Sequence, residues 1–154
     1  MEKSNKKLIL VLVGVAVLVI GGIIAGIAGL VGGVFGLLNK ASAADFYDLG
    51  GEQIPSVKFV LGEERRITSI NNSTANGVIT KEYAYTVPGL EQSLDASNYF
   101  SYLCGEAGFS PAGSPDFDAP VGSCAAIKRS ADGTRNLLVQ IDYNTTGYVV
   151  TLVK

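Results

Sequence analysis

From Leu8 to Leu38 the chain runs without a charge, a proline or a polar side chain, using only apolar residues and glycine. At 1.5 Å of rise per residue such a helix exceeds the roughly 20 residues that cross a bilayer core. The run predicts a single transmembrane helix over residues 8–38, with the lipid bilayer as its partner. Ala41-Ser42-Ala43 also fits an A-x-A cleavage site, but signal h-regions span about 7 to 15 residues, about half of this run. A secreted enzyme or inhibitor domain released by cleavage near Ala43 is the alternative expectation. A buried soluble helix so uniformly apolar needs a larger domain around it than the chain supplies.

Flanking charge sets the expected orientation. Lys3, Lys6 and Lys7 precede the run against Glu2 alone, whereas beyond it a single Lys40 is followed by Asp45 and Asp48. The positive-inside rule predicts a cytoplasmic tail over 1–7 and a C-terminal domain outside the cell membrane, in a single-pass protein.

Within the run, Gly22, Gly26, Gly29, Gly33 and Gly36 are spaced four, three, four and three. At 100° per residue they share an arc of roughly 80°. Glycine is costly inside a helix, and lipid provides no hydrophobic drive for helices to meet, so the stripe predicts close helix–helix packing. The partner is a second copy of the helix or that of another membrane protein.

The part from Asn39 onward has the size of one ordinary domain. It carries nine Lys and Arg against thirteen Asp and Glu, a net charge near −4. With no basic stripe, nucleic acid is excluded as an expected partner. Residues 39–55 mix Ala, Ser, Gly and acids and read as an irregular tether, leaving 56–154 as the external domain.

In that domain Val57–Leu61 and Arg66–Ile70 read as strands, 71–77 as a polar loop, and Val78–Val87 as a longer strand with Ile79, Tyr83, Tyr85 and Val87 at period two. A helix is expected from Asp95 as N-cap to about Ala107, with Ala96, Tyr99, Phe100, Leu103 and Ala107 on one face. Gly108 stands where a left-handed C-cap belongs, with Phe109 placed to fold back. Residues 110–123, with three prolines, read as a loop. Strands follow at 124–129, 137–143 and 148–153, the first two joined at Asp132-Gly133. The expected fold is a small α+β domain, an antiparallel sheet of order β-β-β-α-β-β-β covered by one amphipathic helix. An apolar helix joined to a sheet domain resembles a pilin subunit, but the glutamate expected early in such a helix is absent and the resemblance fails.

Chemistry is thinly represented. The chain has no histidine, so no Ser-His or Cys-His pair can be built, and no catalytic residue or cofactor is expected. Cys104 and Cys124 are expected to form a disulfide in an oxidising compartment, worth on the order of 3 kcal/mol in the chain-entropy model. Their spacing suits no metal knuckle. Asp116 and Asp118, at i and i+2 in the long loop, lack the remainder of a calcium loop. Asn71-Asn72-Ser73-Thr74 and Asn144-Thr145-Thr146 match glycosylation acceptors but also ordinary polar turns. The tyrosines at 83, 85, 99, 102, 143 and 148 suit either a ligand groove or a core, and the core is favoured. The expected function is that of a non-catalytic, membrane-tethered external module with a structural, sensing or ligand-binding role.

Overall fold

The computed structural model describes residues 33–87 and 91–154, which fall in one compact unit. The tail 1–7, Gly22, Gly26, Gly29 and most of the apolar run lie outside the described residues. Among those described, no helix is long and apolar enough to cross a membrane.

Element order is α1 (Gly33–Ser42), β1 (Phe46–Leu49), β2 (Glu52–Pro55), α2 (Val57–Leu61), β3 (Arg66–Ala75), β4 (Val78–Thr86), α3 (Gln92–Gly105), β5 (Ser110–Pro111), β6 (Gly122–Arg129), β7 (Asn136–Asn144) and β8 (Gly147–Val153). Six strands form one antiparallel sheet of order β3-β4-β8-β7-β6-β5, and β1 and β2 pair separately. Three hairpins build most of it; α3 and the loop after it carry the chain from β4 to the far edge, and β6–β7–β8 return until β8 pairs with β4. The α+β class and the antiparallel sheet are as the alternating patterns predict.

Period two decides which side is the core. Leu137, Val139, Ile141 and Tyr143 of β7, Tyr148, Val150 and Leu152 of β8, and Tyr83 and Tyr85 of β4 are buried together. Ala96, Tyr99 and Leu103 of α3 pack onto that face. The helix stops where expected: Gly108 has φ of +76°, Phe109 N–H donates to the Leu103 carbonyl at 3.0 Å, and the Lys128 ammonium closes on the Ala107 carbonyl at 2.8 Å.

Four expectations are corrected. The stretch 39–55 is no irregular tether: α1 extends to Ser42, and Phe46↔Pro55 through Leu49↔Glu52 pair as a hairpin around Gly50 and Gly51, both at positive φ. Its Tyr47, Leu49 and Ile54 enter the core, which anchors it. Val57–Leu61 is a helix rather than a strand, because Ser56 Oγ caps Phe59 N–H at 3.1 Å and Gly62, at φ of +72°, ends the turn through Lys58 O. Residues 71–75 continue β3, closed by Asn76 and Gly77 at φ of 52° and 77°, the positive pair that a tight hairpin turn demands. Finally, α3 begins at Gln92, and Asp95 lies inside its first turn, bonded to Arg65 instead of capping the helix.

Candidate functional site

Where the chain leaves α1, short-range contacts bind it to the domain. Leu38 and Ala41 pack against the core, and Ser42 Oγ accepts Ile67 N–H at 3.1 Å. Ser56 Oγ donates to the Ala44 carbonyl at 2.6 Å, its N–H reaches Asp45 O at 2.9 Å, and Lys58 pairs with Asp45 at 2.6 Å. These bonds set α2 beside the α1–β1 junction. The Phe46 and Phe59 rings consequently meet with centroids 5.2 Å apart, and the Tyr102 edge approaches Phe59 at 6.1 Å.

Of the glycine stripe, Gly33 opens α1 and Gly36 lies within it, exposed, with nothing within 4 Å of where a Cβ would stand.

A polar network runs through the core. Arg65 binds Asp95 with two nitrogens and reaches Glu91 and Glu63, both at 3.1 Å, while Tyr148 donates to Asp95 Oδ2 at 3.3 Å. The bond to Asp95 raises the Arg65 pKa further, so the guanidinium stays charged. Nearby, the Tyr47 and Tyr85 hydroxyls bond each other, Tyr47 accepts Val57 N–H at 3.1 Å, and Tyr99 donates to Pro55 O at 2.8 Å. Burial drives Tyr47, Tyr85, Tyr99 and Tyr148 well above their usual pKa, so all four remain neutral. Tyr83, Tyr85, Tyr99, Tyr143 and Tyr148 are buried in the core, whereas Tyr102 is half-buried beside Phe59.

The remaining chemistry-bearing residues are dispersed. Asp116 Oδ1 accepts Asp118 N–H at 3.0 Å in a local turn, and its carbonyl accepts the Tyr143 hydroxyl at 2.7 Å. A small open cleft of about 190 Å³ between Asp118, Pro120, Gln92 and Thr145 is below the roughly 300 Å³ at which small-molecule sites begin. Among the described residues no group of His, Cys, Asp and Glu is placed to hold a metal. Asn144 Oδ1 accepts Thr146 N–H at 2.8 Å and its hydroxyl at 2.7 Å, a turn in itself, whereas Asn71 and Asn72 lie on β3.

Cys104 and Cys124 are free thiols, so the expected disulfide is not formed in the structure. They are nonetheless neighbours: burial, then Asp142, then Cys104 push the Cys124 thiol up to about 12. A thiol so placed is protonated at neutral pH and a poor nucleophile.

The sheet's other face holds a feature that alternation does not announce. Gln140 and Thr151 are direct cross-strand partners at its centre, and both are buried. Gln140 Nε2 donates to both Asp142 oxygens, but among the described residues Gln140 Oε1 and Thr151 Oγ1 have no hydrogen-bond partner. Only the strand order, which brings β7 against β8, sets these two side by side.

Comparison with known protein families, with curated proteins and with solved structures found no match.

Proposed function

We propose that this chain is a membrane-tethered, non-catalytic external module, a single-pass protein with its N-terminus in the cytoplasm and its domain outside, serving a structural, sensing or ligand-binding role. One observation carries the reading: the uncharged run Leu8–Leu38, preceded by Lys3, Lys6 and Lys7. The docking of α1 adds support, since a chain cut after Ala43 loses the packing of Leu38 and Ala41 and the Ser42–Ile67 bond. The absence of histidine and the protonated, buried state of Cys124 favour binding over catalysis.

Protease added to intact cells tests this directly. Removal of the domain, with the apolar segment retained in the membrane fraction, is the expected result. Protection of the domain, or its recovery in soluble form with an N-terminus near residue 44, rejects the tether. The glycine stripe belongs to the reading as a helix contact, and replacing Gly26, Gly29 and Gly33 by Leu should abolish crosslinked oligomers. A parent protein already monomeric in a mild membrane mimic leaves only a foreign helix as partner.

A further inference from the structure

We infer that Phe46 and Phe59 form a lipid-facing foot on which the domain rests against the bilayer surface, an inference that rests on the membrane-tethered reading. The last residues of the apolar run, Gly33 to Leu38, belong to α1, which continues unbroken to Ser42. No swivel follows. Ala43 N–H bonds back to Asn39 O at 3.1 Å and Ala44 N–H to Ala41 O at 3.2 Å, and Leu38 and Ala41 hold the helix on the domain. Four helical steps and four steps that are at most extended lead from Leu38 to Phe46, which limits their Cα distance to about 20 Å, and the back-bonds shorten it. With Leu38 at the edge of the hydrocarbon, the domain is held close against the headgroups.

What the junction exposes suits that position. Leu37, Phe46 and Phe59 are 67%, 45% and 44% exposed although apolar, and the two phenylalanine rings touch each other with Tyr102 beside them. Phe and Leu side chains presented at a membrane surface sink into the headgroup boundary, and cations beside them meet anionic headgroups. Lys40, exposed in the last turn of α1, supplies such a cation, while Lys58, next to Phe59 in sequence, is paired with Asp45. The occupant of this patch is therefore the bilayer that the chain's own apolar run enters.

The chain has no tryptophan, so single reporters can be read without background. Phe46→Trp, Phe59→Trp and Val121→Trp are each introduced into the full chain and reconstituted in phosphatidylcholine vesicles with and without lipid brominated near the headgroup. Val121 is the control, exposed beside β6, which stands four strands from β3 in the sheet. Quenching several times stronger at positions 46 and 59 than at 121, with blue-shifted emission, is expected. Equal or weaker quenching at 46 and 59 overturns the foot. Flotation of the same vesicles reports the tether separately: a chain that fails to float rejects the membrane reading, while one that floats without selective quenching rejects only the foot.

Discussion

Arg65 holds Asp95 through Nε at 2.8 Å and Nη2 at 3.0 Å, tying the segment before β3 to the first turn of α3, thirty residues away in the chain. Two-point guanidinium–carboxylate pairing fixes orientation as well as distance. It locks the helix to the sheet beside Tyr148.

Breaking this pair from one side leaves the other charge buried. Arg65→Leu should therefore destabilise the domain by about 3 kcal/mol or more. Replacing both partners, Arg65→Leu with Asp95→Leu, should cost clearly less, because no lone charge remains. Chemical denaturation of the full chain in detergent, followed by near-ultraviolet dichroism of the tyrosines, reads both. A double variant no more stable than the single one rejects this account of the pair.

Alkaline pH should unfold the domain through the same core. Tyr47, Tyr85, Tyr99 and Tyr148 have folded pKa values raised above the ordinary 10.0, and Cys124 stands at about 12 against 9.0. Groups raised on folding hold more protons folded than unfolded, so their contribution is complete below the unfolded values and declines as pH climbs through the folded ones. Stability should be flat with respect to these groups below pH 9.0 and fall steadily above 10.0. Tyrosinate absorbance should rise cooperatively with loss of structure; buried tyrosines that ionise before unfolding contradict the prediction.

The strands 137–143 and 148–153 were legible because Leu137, Val139, Ile141 and Tyr143 recur at period two, although β7 is buried on both faces from Leu137 to Ile141. Val57–Leu61 was not, since four apolar residues around Lys58 fit either period and the deciding signals, Ser56 and Gly62, lie outside them. Asn71 to Ala75 look like a loop because they belong to an edge strand largely facing water; the Asn76-Gly77 turn carries the true signal. Asp95 resembles a cap because the residue that claims its carboxylate is thirty positions upstream. The aromatic pair Phe46–Phe59 was equally hidden, as it depends on the hairpin and on Ser56 reaching Ala44.

Gly147 opens β8 directly against the backbone of β4. A Cβ there would stand 1.9 Å from Tyr85 O, where no side-chain rotation relieves the clash. Gly147→Ala should force β4 and β8 apart and cost about 3 kcal/mol, the upper end for overpacking. Gly36→Ala is the natural contrast, since its Cβ meets open space within α1 and alanine favours helix by about 1 kcal/mol. Thermal unfolding of the two variants should move in opposite directions, and a Gly147→Ala midpoint equal to the parent's rejects the clash.

The last prediction concerns the pair on the other face of the sheet. Thr151 Oγ1 is buried with no hydrogen-bond partner among the described residues, directly across from Gln140, whose Oε1 likewise finds none there while its amide nitrogen is committed to Asp142. An unsatisfied buried polar atom costs about 1–3 kcal/mol of desolvation without return. Thr151→Val keeps the β-branched shape that a central strand favours and removes the orphaned hydroxyl. It should raise stability by about 1 kcal/mol, the lower end of that range. Gln140→Leu is expected to gain less, because it also gives up the two bonds to Asp142. Equilibrium unfolding decides between them: a Thr151→Val variant less stable than the parent means that the hydroxyl is satisfied in solution and that this face of the sheet is wetter than its burial implies.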